Sequence, residues 1–400
     1  MPAAHRPSRT LAALSSTRRG SATPSLVRLA IARAGRRSRR QGLDRRTPRL
    51  TSVHRPAYAL LVGVAATMGV LALIASFTLD RPLVDPEGFL GPSWLRLPLL
   101  VLGAFALDLL PRTLWASRMK PALMPAIARE RIREHWDKER IVLTVLGLVS
   151  FYITYVCYRN LKSFLPFIMG EDKYDRELHL VDRALMFGHE PATILHTIFG
   201  TGFSSHILST IYLWFLPLVP LALAAWLVWS RNITFGYWFA TSQCLAWALG
   251  TASYYALPTL GPGFQYSYLY TDLPETGSSA LMEALSYGRS NVIREGAEGA
   301  VQSVAGFASL HVAITLLVAL MVQYTLQNRI LHIVFWANFA ITVVATLYFG
   351  WHYIADDLAG VVIALFSFWL GGLASGQKFD RHGLASHPTS TTSQVPVDAD

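Results

Sequence analysis

Apolar residues run along this chain in long blocks that polar residues interrupt only at intervals. Eight blocks are long enough to read as helices that cross a membrane: 56–79, 94–111, 141–158, 206–229, 234–257, 307–326, 331–349 and 354–374. A single apolar run of that length has to be helical in lipid, because its backbone N–H and C=O groups find no water there. Between the blocks lie two long polar connections. One, ELHLVDRALMFGHEPATILHTIFG (177–200), carries amphipathic stretches and predicts a helix lying at the membrane interface. The other, 258–306, is rich in Gly, Ser and Pro and predicts a structured loop. The fold class expected is therefore all-α, a polytopic helical bundle.

Composition agrees. Of the 400 residues, 52% are hydrophobic and only 15% are charged, well below the quarter or so typical of soluble domains. The net charge of +10 is unevenly spread: residues 1–55 hold fourteen arginines, no lysine and a single acid, Asp44. That segment lacks the apolar material for a core and reads as a disordered arm. Beside a first span, an arginine-rich arm is better explained by anionic lipid than by nucleic acid, so no nucleic-acid partner is expected. The 376–400 segment reads as a second disordered tail. Cys157 and Cys244 each sit inside an apolar block and form neither a disulfide framework nor a metal signature.

Lys and Arg also set the orientation. The N-terminal arm, the 112–140 connection with eight Lys or Arg, and the turns at Arg231 and Arg329 all fall on one side if eight spans alternate. That side is expected to be cytoplasmic, with both termini. The domain division expected is an arm (1–55), two extra helices with a basic loop (56–140), a six-helix catalytic core (141–375) and the C-terminal tail.

With this topology three ionisable residues converge on the outer side. His311 opens the sixth block, His352 closes the seventh, and Asp356 opens the eighth. The two histidines, 41 residues apart, begin and end one helical hairpin, so they lie at the same depth. His352 and Asp356 are spaced i, i+4 and would share a face if the turn is helical. A carboxylate on one imidazole nitrogen fixes the tautomer and makes the other nitrogen a better nucleophile or base. Asp357 points about 100° away around such a helix and reads as a first-turn acid suited to the helix dipole. His196 and His332 read as satisfied polar residues. Asp108 is the one mid-span acid, thin support for a transporter. Two histidines and an acid could ligate a metal, but no spacing signature accompanies them, and neither metal nor cofactor is expected. Ser309 lacks the Gly-x-Ser-x-Gly turn of a serine hydrolase.

FASLHVA (307–313) and GWHYIADDLAG (350–360) resemble the second and third motifs of the phosphatidic acid phosphatase type 2 superfamily. They look most like its inositol phosphorylceramide synthase branch, where Ser-Leu-His replaces Ser-Gly-His. DRALMFGHEP (182–191) and LPTLGPGF (257–264) are similar to that branch too. The resemblance covers about 141–375. It implies that His352 attacks phosphorus to form a phosphohistidine, that Asp356 orients His352, and that His311 protonates the leaving alcohol and then deprotonates the incoming one. The substrate implied is a lipid-linked phosphate ester. The phospho-headgroup would pass to an alcohol acceptor, or to water in the alternative of a lipid phosphate or polyprenyl diphosphate phosphatase. A non-enzymatic transporter or scaffold is the remaining alternative.

The chain departs from the superfamily pattern in its cations. The arginine expected six residues before the third-motif histidine is Thr346, and the Lys-x6-Arg-Pro first motif is absent. Arg159 and Lys162, at the end of the third block, are the candidate phosphate binders, although snorkelling at a helix end would explain them equally. Arg289 and Arg294 are weaker candidates. Ser309 could donate to a phosphate oxygen or start a helix. Gly261 and Gly263 could let backbone approach a ligand or make a plain turn.

Overall fold

The computed structural model describes residues 55–86, 92–170, 173–295, 304–379 and 385–386. The arginine-rich arm before residue 55 and the tail after 386 lie outside them. The molecule is a bundle of helices, and the one strand pairing among the described residues joins Lys378–Phe379 to Ala385–Ser386.

All eight apolar blocks are helical. The first two are α1 (Arg55–Leu79) and α2 (Ser93–Ala116). A basic helix, α3 (Met124–His135), leads to α4 (Lys138–Met169). The fourth block is α7 (Phe203–Leu213) running into α8 (Phe215–Ala224) and a π turn, Ala225–Trp229. Then come α9 (Ile233–Ala256), α12 (Leu310–Thr325), α13 (Arg329–Tyr348) and α14 (Ile354–Ala374). Six of these segments are long and apolar enough to span a membrane: Pro56–Leu79, Pro98–Ala116, Lys138–Met169, Phe203–Trp229, Arg329–Tyr348 and Ile354–Ala374. The other two differ for reasons of position. Helix α9 is the axis of the bundle, packed on α1, α4, α12 and α14, and sixteen of its 24 residues are buried. Its neighbours let it carry Thr241, Ser242 and Gln243, all fully buried, and these lower its hydropathy. Helix α12 is apolar but only 16 residues long.

Side-chain caps set several helix starts. Asp137 accepts from Arg140 N at 2.8 Å ahead of α4. Asn232 accepts from Thr234 N at 3.0 Å ahead of α9, and Asn328 from Ile330 N at 2.9 Å ahead of α13. These starts lie at the basic end. There Arg140 donates to the carbonyls of Leu227 and Arg231, each at 3.2 Å. Asp108 belongs to the same end and is not an isolated mid-span acid. It is fully buried, 3.0 Å from Arg112, 2.8 Å from Arg131 and 2.9 Å from Trp136 Nε1, and it ties α2 to α3.

The polar connections hold more helix than their pattern suggests. The 177–200 stretch is two helices, α5 (Asp175–Leu185) and α6 (Pro191–Phe199), broken where Phe187 and Gly188 take positive φ (55° and 90°). One face of α5 is buried and carries Asp175, Leu178 and Asp182. The 258–306 loop contains α10 (Pro262–Gln265), a 3₁₀ turn (Ser267–Tyr270) and a 19-residue helix, α11 (Gly277–Glu295).

Candidate active site

The site is built on the turn between α13 and α14. Gly350 takes φ +72° and reverses the chain, after which the amides of Trp351 and His352 both point to Thr346 O, at 2.8 and 3.4 Å. Residues 351–353 are not helical, and α14 begins at Ile354. His352 therefore does not share a helical face with Asp356. The contact arises through a cap. Asp356, in the first turn of α14, folds back to accept from Tyr353 N at 3.0 Å, and the same Oδ2 lies 3.3 Å from His352 Nδ1. Asp356 is fully buried and His352 is 7% exposed, so little water competes for the pair.

His311 arrives from the adjoining helix. Ser309 caps α12 by accepting from Val312 N at 3.4 Å, and its own amide donates to Asp356 O at 3.0 Å. This bond, and the close approach of Gly360 to Ser309, fix α12 against α14. A Cβ at Gly360 would meet Ser309 O at 2.5 Å. The imidazole of His311 stacks on Tyr212, 4.2 Å between centroids and 9° between planes, and packs on Phe215 at 4.0 Å. The rings of His311 and His352 are 6.5 Å apart. Three residues from separate blocks thus meet at one end of the bundle.

The remaining candidates fare differently. Helix α4 continues to Met169, eleven residues past the predicted end at 158, because its polar residues face inward: Asn160 and Ser163 are each 1% exposed. Lys162 consequently lies within the helix, its ammonium 3.4 Å from Tyr158 Oη and 5.7 and 5.6 Å from the ring centroids of Tyr158 and Tyr254. Arg159 donates to Tyr155 Oη at 3.1 Å. Arg294 is exposed in the last turn of α11, and among the described residues no hydrogen bond or ion pair links it to the histidines. Ser309 is fully buried as a cap. Thr346, at the position of the expected arginine, donates to Asp357 Oδ2 at 2.8 Å. Asp357 does lie in the first turn of α14, where it is buried against Thr346. Gly261 and Gly263 pack on the turn itself: Gly263 N donates to Gly350 O at 2.6 Å. His196 Nε2–H donates to Tyr348 O (2.8 Å) and His332 Nε2–H to Leu326 O (2.8 Å), as ordinary polar residues.

Two residues escaped the sequence reading. Asp175 accepts from Leu260 N, Gly261 N and Tyr353 Oη, at 3.0, 2.9 and 2.9 Å. Asp182 accepts from Ile354 N at 3.1 Å. The one available signal was two acids seven residues apart on the apolar face of an amphipathic segment. Asp182 also lines a small pocket with His179, Glu190, Tyr270 and His352. Burial pushes its carboxyl up to about 7, reinforced by Asp356 and Glu190 and opposed by the Ile354 amide. Among the described residues, no three His, Cys, Asp or Glu side chains group as metal ligands.

The two histidine motifs and α5 all fall in one continuous stretch. Residues 176–370 match the PAP2 superfamily. Members of the PAP2 superfamily are phosphatases and phosphotransferases acting on phosphate esters. The PAP2 match begins at α5, contains His311, His352 and Asp356, and leaves out α1 to α4, hence Arg159 and Lys162. No similar curated protein and no similar solved structure was found.

Proposed function

We propose that this chain is a PAP2-type membrane enzyme that transfers phosphate, or a phosphate-bearing headgroup, from a lipid-linked ester through a phosphohistidine. The observation that carries the reading is the pairing of His352 Nδ1 with Asp356 Oδ2 at 3.3 Å, 6.5 Å across from the ring of His311. With Nδ1–H donated to Asp356, the other nitrogen of His352 keeps its lone pair for attack on phosphorus. As the N–P bond forms, the P–O bond to the leaving group breaks, and protonated His311 gives its proton to that oxygen. His311 is then neutral and takes the proton of an incoming hydroxyl. The new O–P bond displaces His352, and both histidines return to their starting states.

Equatorial phosphate oxygens need positive charge. Lys162 is the cation we assign to them, in place of the arginine that Thr346 replaces; Ser309 and Arg159 are assigned lesser parts, and Arg294 is the weakest. Ser-Leu-His at 309–311 and the absent arginines support the inositol phosphorylceramide synthase branch and an alcohol acceptor. The gathering of Arg131, Arg140 and Arg231 at the far end of the bundle supports an outward-facing site.

The test uses full-length protein in lipid nanodiscs, with radiolabelled phosphatidylinositol, phosphatidic acid or a polyprenyl diphosphate as donor. Wild type should trap an acid-labile phosphoenzyme, and His352→Ala should abolish it. Undiminished labelling in His352→Ala would sink the mechanism. Chasing the label with inositol, with sugars or with water alone then separates transferase from phosphatase.

A further inference from the structure

We propose that α5 grips the nucleophile turn at two points, with Asp175 and Asp182 acting as positioning residues for His352. The inference rests on the reading of His352 as the nucleophile. The two acids lie seven residues apart, two helical turns, on the buried face of α5, and they are 2% and 3% exposed. Leu178, between them, is the apolar contact of the same face.

Each acid holds a different residue just after His352. Asp175 Oδ1 takes the Tyr353 hydroxyl at 2.9 Å and, with Oδ2, the amides of Leu260 and Gly261. It thereby locks the LGPG loop and the turn to one carboxylate. Asp182 takes the amide of Ile354 with both oxygens, at 3.1 and 3.3 Å. That amide opens α14, and Tyr353 supplies no side-chain cap for it. A helix start needs acceptors for its first amides. Because Asp182 reaches in from another helix to fill this need, Asp356 remains aimed at Tyr353 N and His352. On the other flank, Thr346 O and Gly263 N hold the turn from α13 and the LGPG loop. A bare docking surface would not call for two buried carboxylates, since each costs desolvation that an apolar contact avoids.

The test compares full-length wild type, Asp182→Ala, Asp182→Asn, Tyr353→Phe and His352→Ala. Asparagine keeps an acceptor for the Ile354 amide, and phenylalanine removes only the hydroxyl that Asp175 holds. Two quantities are read: hydrogen exchange at the Ile354 amide, and kcat and KM on phosphatidylinositol in nanodiscs. Asp182→Ala should speed exchange at Ile354 and lower kcat about ten- to hundredfold with KM within about twofold, the signature of a misplaced reacting group. Asp182→Asn should recover most of both, and Tyr353→Phe should give a smaller fall in kcat. Wild-type exchange at Ile354 in Asp182→Ala, wild-type kcat in that variant, or failure of Asp182→Asn to rescue would each overturn the proposal. The exchange comparison needs no turnover. His352→Ala should lose turnover while keeping Ile354 protected, so turnover surviving in that variant refutes the nucleophile and leaves the exchange result to stand or fall alone.

Discussion

Asp182 illustrates how one buried acid links stability to pH. Its partners and neighbours come from several elements: Ile354 N and Asp356 on α14, Glu190 at the start of α6, and His179, Tyr270 and His352 around the shared pocket. Burial raises its carboxyl from 3.8 to about 7 in the folded chain. The folded state therefore holds a proton that the unfolded state releases between these values. Stability from this group is complete below pH 4 or so and is lost as pH rises through about 7, by up to about 4 kcal/mol at about 1.4 kcal/mol per unit. Thermal unfolding of the purified protein at pH 5 and pH 8 should show a loss on going alkaline that shrinks in Asp182→Asn. An equal loss in both proteins would contradict this account. At this scale His311, His352 and Asp356 could be read from local motifs. Asp175 and Asp182 could not, because their partners lie 85 to 178 residues away in the chain. Asp356 was found through the wrong geometry: the contact with His352 comes from a helix cap, not a helix face.

Among the elements, the long apolar helices were legible because lipid leaves a 20-residue apolar run no other backbone state. The end of α4 was hidden, since Asn160 and Ser163 look like a boundary and turn out to be buried. Helix α11 was hidden as well, its Gly- and Ser-rich start (GSSA) and mixed polarity resembling a loop. The LGPG segment shows what a small element can control. Gly261 takes φ +101°, and a Cβ there would meet Trp351 O at 2.4 Å, against the backbone that presents His352. Gly261→Ala should push the turn away and cost both stability and turnover. Gly170 makes the control: it too has a positive φ (+63°), but a Cβ there meets nothing within 4 Å. Gly170→Ala should cost only the strain of a backbone conformation that glycine alone adopts readily, about 1–3 kcal/mol, and leave turnover near wild type. Equal losses of turnover in the two variants would show that the close approach at Gly261 does not matter.

For the whole molecule, the expected sidedness can be read chemically. The native cysteines, Cys157 and Cys244, are both buried, so the wild type is a quiet background for thiol labelling. His189, in the exposed turn between α5 and α6, lies at the site end, and Arg329, at the start of α13, lies at the basic end. In intact cells, a membrane-impermeant maleimide should label His189→Cys directly and Arg329→Cys only after permeabilisation. The reverse pattern would place the site inside.

The reach of the α5 acids also has a consequence for how the chain is made. Asp182 leaves the ribosome 172 residues before Ile354, the residue it holds. At about 5–20 residues per second, that is an interval of roughly ten to thirty seconds. During that time α5 has been synthesised but its two carboxylates have no turn to grip. Ribosome-stalled chains ending at residue 340 should leave α5 open to protease, and chains stalled beyond α14 should protect it. Protection already present at 340 would mean that α5 docks on something other than the turn it ends up holding.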